Sequence, residues 1–362
     1  MNNTIVGVDL AKDVIQVCVY SNQKVRSNTE VTPSDFIEWL AKTKPVRIVF
    51  EACGTSNFWK QKSTELGHDA QLISAKLVDT VRQNQKNDKN DALAIVQAAL
   101  LPDIKFIAGK DRTQQQMQSI MRLRELSVKQ KTALHNQLTA LLLEFNIRTS
   151  NKNGGLRGAV ESTLEDAENG LSDEFRKAIH RAWIQYIEVV KSISVYDTCL
   201  EKSIKESPEC QKLMAIEGIG IINAINLYNI LFCSEDGVFK NGKDAAACIG
   251  LTPVQHSSGG KTKLGSIGKH VRNSTLRSQL VTGAFTYINQ VNKRQPKTEK
   301  EVWLKALIDR LTELCDVPAL KHKGRALKGK RGFYLATSVK DEVSPAYHEF
   351  FRHIYAYFDM EF

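Results

Sequence analysis

No apolar run in the chain approaches the roughly 18–20 residues needed to cross a bilayer, so no membrane span is expected. The start, MNNTIVGVDL, lacks the basic residues of a secretory leader and meets an acid already at Asp9. Cysteine is sparse: seven residues scattered from Cys18 to Cys315 with no C-x-x-C pair, which argues against a disulfide framework and against a zinc site. The cytoplasm is the expected compartment. There is no internal repeat and no low-complexity segment beyond a basic tail. With 42% apolar and 25% charged residues the chain is neither disordered nor collagen-like. Its 362 residues leave room for two or three domains.

The most informative absence is local. The chain carries 50 Lys and Arg against 40 Asp and Glu, a formal charge of +10. Between Ala245 and Thr298 there is no acid at all, and eight cations stand there: Lys261, Lys263, Lys269, Arg272, Arg277, Lys293, Arg294 and Lys297. A second acid-free stretch, Val317 to Lys340, adds seven more. Solvated faces normally mix both signs, so windows of this length favour a phosphate-binding surface. A basic surface kept for solubility is the competing reading.

Strand-like and helix-like segments alternate at the start. Residues 4–20 hold two apolar runs split by a polar turn at Asp9–Asp13, and 33–44 suit a helix. VRIVFEACG (46–54) reads as a buried parallel strand. A helix near 57–66, a strand at 70–74 and a helix from about Asp88 to Leu101 follow, which is an α/β pattern. From Gln114 to Phe145 nothing breaks a helix. Leu134, Leu138, Leu141 and Phe145 form a heptad seam, as in a helical hairpin or a two-chain coiled coil. NKNGGLRG (151–158) reads as a linker before a further helical stretch at 160–206, and Pro208 marks the next boundary.

Acids stand out in the first part by position. Asp9 ends one strand-like run and Glu51 another, while Asp88 and Asp91 are three apart, so on a helix they share a face. Four carboxylates gathered at one sheet edge repel unless cations neutralise them. Mg²⁺, which prefers hard oxygen ligands, is the usual partner when such a set cuts or transfers phosphodiesters. Taken singly, Asp9 could cap a turn, Glu51 could pair with a lysine, and Asp88-x-x-Asp91 could be a helix N-cap with an acid three residues on. Together they lie at element ends of one α/β region, in the order of a ribonuclease-H-like fold.

Further on, Gly218-Ile219-Gly220 sits between two apolar helical runs. That is a helix-hairpin-helix pattern, which holds a DNA phosphate on backbone N–H groups, or else a tight turn between core helices. His256-Ser257-Ser258-Gly259-Gly260-Lys261 places hydroxyls, a base, backbone donors and a cation together inside the first acid-free window. Serine needs activation and a stabilised developing anion to act as a nucleophile. Gly259 and Gly260 could donate to a phosphate oxygen that Lys261 or Lys263 neutralises, and a plain turn is the alternative.

GVDLAKD, FEACG, KNDKNDALAI, IEGIGIINA and FKNGKDAAACIGLTPVQHSSGGKTKLGSIGKHVRNSTLR, in this order, resemble the DEDD-type insertion-sequence transposases. These are the IS-one-ten family with its IS-eleven-eleven branch, to which the Piv DNA invertases are related. The resemblance covers about residues 4–150 and 208–295. It implies a RuvC-like domain over 1–110, a helical hairpin or coiled-coil region over 111–207, and a mainly α-helical transposase domain over 208–295. Residues 296–362 form a basic extension that departs from the family pattern.

By the same resemblance, Asp9, Glu51, Asp88 and Asp91 bind Mg²⁺, with a two-metal site expected. Ser258, with Ser257 as the fallback, forms a covalent phosphoserine with cleaved DNA. Gly218, Gly220, Gly259, Gly260, Lys261, Lys263, Lys269, Arg272 and Arg277 are the expected nucleic-acid contacts. The implied partners are DNA at element ends and target, a structured non-coding guide RNA as in some members, and further copies of the chain as a dimer or tetramer. The implied setting is the bacterial nucleoid. A RuvC-like structure-selective nuclease and a non-catalytic DNA-bridging relative are the two other function classes.

Overall fold

A computed structural model describes residues 4–83, 85–150, 154–231, 242–267 and 274–315. Apolar alternation in IVGVDL and IQVCVYS builds β1 (Ile5–Leu10) and β2 (Ile15–Ser21), and β3 (Lys24–Val31) completes an antiparallel meander. Asn22 and Gln23, both at positive φ, make the tight turn between β2 and β3. Then come α1 (Pro33–Lys42), β4 (Arg47–Glu51), α2 (Ser56–Glu65), β5 (Asp69–Ile73), α3 (Ala75–Val81) and α4 (Asp88–Ala99). β4 pairs in parallel with β1 and β5 in parallel with β4, so the sheet order is β3-β2-β1-β4-β5.

The period of two along each strand sorts this sheet into three layers. Val6, Val8, Ile15, Val17, Ile48 and Phe50 face α1 and α2, where Phe36, Leu40 and Trp59 close the main core. Phe36 alone, fully buried and in ring contact with Trp39, Phe50 and Trp59, contributes about 1.5–3 kcal/mol by burial. The opposite face, from Cys18, Val49 and Ile73, is covered by Ala92, Ala94, Ile95 and Val96 of α4 and by Val78 of α3.

Gly7 makes that second cover possible. A Cβ on Gly7 would lie 2.4 Å from the Ala92 carbonyl oxygen and 2.7 Å from Val96 Cγ2, so its hydrogen lets α4 rest directly on β1.

Residues Gln115–Asn226 form a separate compact unit. It holds all but the first three residues of α5 (Arg112–Glu144), followed by α6 (Gly155–Glu165), α7 (Asp173–Lys205) and α8 (Pro208–Met214). Arg124 pairs with Asp197, His135 lies against Tyr186 and Phe145 against Phe175. Each step up α5 is matched by a step down α7, so the two 33-residue helices run antiparallel.

The expected seam is corrected in part. Leu138 and Leu142 are buried against α6 and α7, whereas Phe145 is half-exposed. The 3.6-residue turn of a helix with two neighbours replaces a strict heptad. The expected linker also ends early, because α6 already begins at Gly155.

In the C-terminal stretch α9 (Ile221–Leu231) and α10 (Gly242–Ile249) precede an antiparallel hairpin, β6 (Pro253–Ser258) and β7 (Lys261–Ile267). Then come α11 (Ser274–Lys293) and α12 (Glu299–Cys315). The turn considered at Ser258-Gly259-Gly260-Lys261 is the tip of this hairpin, whose two strands the expected mainly helical region did not include. Gly259 and Gly260, at φ +57° and +78°, form its two-residue turn, which only glycine enters freely at both positions.

Glu301 of α12 clasps α11. It accepts from both terminal nitrogens of Arg294, from the Tyr287 hydroxyl and from the Lys297 backbone N–H.

Candidate active site

Alternation decides where the acids point. Gly7 touches α4, so Asp9, two residues on, lies on the same face of β1. Val49 packs toward α4, so Glu51 at the end of β4 lies on that face too. The parallel register runs from Ile5 opposite Arg47 to Val8 opposite Phe50, and the next residues are Asp9 and Glu51. Above them is the first turn of α4, which carries Asp88 and Asp91. Asn87 caps that helix by accepting from the Asn90 N–H, so neither aspartate is needed as the N-cap. Both still face the positive end of the helix.

The electrostatics record this convergence. Burial, then the charges of Asp91 and Asp88, hold the Asp9 carboxyl above its ordinary range, against the Leu10 N–H and Lys86. Burial, then Asp9 and Asp91, do the same to Glu51, against Lys86 and Arg82. Acids that raise one another are a charge set that a bound cation would neutralise.

The donor chemistry suits a hard divalent ion. Even so, among the described residues no three acidic, histidine or cysteine side chains stand close enough to share a metal. Asp91 is instead engaged by Arg82, whose Nη1 lies 3.0 Å from Asp91 Oδ1.

Three supports of this site are absent from the sequence expectations. Gln16, 1% exposed, stands opposite Asp9 in the β1–β2 register. Its Nε2 donates to Asn28 Oδ1 at 2.7 Å, and Asn28 Nδ2 donates to the Lys89 carbonyl at 2.9 Å. Lys89 lies between Asp88 and Asp91, so the relay ties their helical turn to the strand beside Asp9. Gly7 and Arg82 are the other two. A glycine followed by alternating apolar residues, and a buried amide inside a strand, were the available signals. Arg82 had none.

The hairpin gathers the second group. Ser258 ends β6 opposite Lys261, and His256 stands two residues back, on the face that Ser257 does not share. His256, Ser257, Ser258, Gly259, Gly260 and Lys261 are all exposed. Lys263 is opposite His256 in register.

Arg277 lies in the first turn of α11, half-buried. Lys269, Arg272 and the second acid-free window lie outside the described residues. Arg294, counted in the first window, is already bound to Glu301. Gly218, at φ +83°, turns the chain between α8 and α9. Ile219 is buried beside it, and the Gly220 carbonyl accepts from the Ala224 N–H as α9 begins.

Three antiparallel strands followed by two parallel ones, with helices on both faces, form a mixed α/β sheet consistent with a ribonuclease-H-like domain. Comparison with known proteins gives the family. A DEDD transposase model of the IS110 type matches residues 6–147, and the model described as transposase IS116/IS110/IS902 family matches 210–300. The chain is 32% identical to the transposase for insertion sequence element IS1111A of Coxiella burnetii, over 84% of this chain and 83% of that one. It is 28% identical to the transposase for insertion sequence element IS1328 of Yersinia enterocolitica, over 80% and 85%. The chain belongs to the IS110 family of DEDD transposases, which makes it a DNA-processing enzyme. No helix among the described residues is long and apolar enough to cross a membrane.

Proposed function

We propose that the chain cleaves and rejoins DNA strands with two groups acting together, the carboxylates Asp9, Glu51, Asp88 and Asp91 and the hydroxyl of Ser258. The observation that carries this reading is the register: Asp9 and Glu51 end neighbouring strands beneath the acidic first turn of α4. The four carboxylates would hold Mg²⁺. When bound, Mg²⁺ supplies charge neutralisation at the phosphodiester.

Ser258 is preferred over Ser257 because Ser258 stands opposite Lys261 across the hairpin and shares its strand face with His256, a candidate base. Attack forms an Oγ–P bond and breaks one P–O bond to a deoxyribose oxygen. The serine proton is lost, and the released oxygen gains one. Reversal by a new strand's hydroxyl rejoins DNA without an external energy source. Gly259 and Gly260 at the turn, Lys261 and Lys263 on β7, Lys269, Arg272 and Arg277 beyond it, and the Gly218–Gly220 turn are the proposed phosphate contacts. An element-encoded RNA is the candidate guide, and a dimer or tetramer the candidate assembly.

The test is incubation of the full chain with Mg²⁺, element-end DNA and the adjacent non-coding RNA, followed by denaturing electrophoresis. A protein–DNA adduct is expected, and it should vanish in Ser258→Ala and in Asp9→Ala. Cleavage that persists in Ser258→Ala without any adduct makes the protein a metal-dependent nuclease instead. DNA binding unaffected by either change, with no cleavage at all, makes it a bridging protein.

A further inference from the structure

Arg82 sits at the C-terminal end of α3, its backbone N–H bonded to the Val78 carbonyl, and its guanidinium forks between two acids. One terminal nitrogen meets Asp91 at 3.0 Å, and the other meets Asp79. The two partners live in different surroundings. Asp91 is enclosed, its side chain 10% exposed, while Asp79 is 69% exposed on the surface of α3. Arg82 itself is 17% exposed.

A guanidinium stays protonated at any working pH, so it leaves a carboxylate only by moving, never by losing its proton. Asp79, three residues before Arg82, already holds the other half of the fork and would retain the guanidinium once Asp91 is released. A divalent ion entering between Asp9, Glu51 and Asp91 would need the same Asp91 carboxylate and would repel a neighbouring cation.

We propose that Arg82 is an internal counter-ion that neutralises Asp91 until a divalent cation loads, then releases Asp91 and keeps only its existing contact with Asp79. The inference rests on the proposal that the carboxylates bind metal. It adds a competitor for that metal, which sets how much of it is needed before DNA is cut.

The alternative role, a support that orients Asp91 toward the metal, predicts the opposite sign. Mg²⁺ binding to the full chain without DNA, followed by calorimetry and by the Mg²⁺-induced rise in melting temperature, separates them. Arg82→Gln should bind Mg²⁺ about tenfold more tightly, about 1.4 kcal/mol. It should also melt lower without metal and gain more from it. Asp79→Asn, at an exposed position, removes the second partner and should weaken Mg²⁺ binding about threefold.

Weaker or unchanged binding in Arg82→Gln overturns the proposal, as does unchanged binding in Asp79→Asn. Asp9→Asn distinguishes the two levels. If wild type binds, Asp9→Asn does not, and Arg82→Gln is unchanged, only the counter-ion role falls. If neither wild type nor Arg82→Gln binds Mg²⁺, the metal reading falls and takes this one with it.

Discussion

Replacing Gly7 by alanine should damage the site without touching any acid. The new Cβ would lie 2.4 Å from the Ala92 carbonyl oxygen, 2.7 Å from Val96 Cγ2 and 3.0 Å from Val96 N. Carbon and oxygen that are not bonded settle about 3.5 Å apart, so α4 must retreat by about 1 Å. The obstacle is helix backbone, which cannot rotate away as a side chain tip can. Overpacking of this kind costs about 1–3 kcal/mol.

The functional loss should exceed the stability loss. Asp88 and Asp91 ride on α4 while Asp9 and Glu51 stay on the sheet, and a misplacement of about 1 Å can lower a rate about 100-fold. The assay is a thermal melt by circular dichroism, followed by Mg²⁺-dependent DNA cleavage well below the melting midpoint. Gly54→Ala is the control, since a Cβ there meets nothing within 4 Å. The reasoning is refuted if Gly7→Ala melts and cleaves like wild type, or if Gly54→Ala is equally impaired.

Two more predictions follow from charge. Asp9 is held above its ordinary 3.8 by burial and by Asp91 and Asp88, so the metal-free protein loses stability as pH rises from that value through the raised one. Asp9→Asn should therefore raise the melting temperature at pH 7 in chelator while abolishing activity; no rise there would contradict the crowding of the acids. Glu301 is the reverse case, lowered from 4.5 to about 2 by Arg294 first and the Lys297 N–H next. The stability it lends is present above about pH 4.5 and fades toward pH 2. Glu301→Gln should flatten that acid limb, and an unchanged acid limb would remove the clasp from the account.

The acid positions were readable because strand-end acids interrupt an apolar pattern: Asp9 after IVGV and Glu51 after RIVF sit where β1 and β4 end. What holds them was legible only in part. Gly7 matters only because α4, some 85 residues later, lies against it. Asn28 sits on β3, whose KVRSNTEV has no apolar alternation and gave no strand signal, because it is a largely exposed edge. The hairpin at Ser258 was open to a closer reading. Two glycines between PVQHSS and KTKLGSI carry the signature of a two-residue hairpin turn; the turn was legible there, while the serine- and lysine-rich strands on either side of it were not.

The central claim joins two groups far apart in sequence, and mapping the adduct tests it most directly. The full chain is incubated with Mg²⁺, element-end DNA and the adjacent non-coding RNA, denatured, and digested with nuclease and trypsin. Mass spectrometry then examines the peptide spanning residues 244–261. A nucleotide phosphate is expected on Ser258 in wild type and none in Asp9→Ala. An adduct on Ser257 or elsewhere, or one on Ser258 that forms equally well in Asp9→Ala, would contradict it.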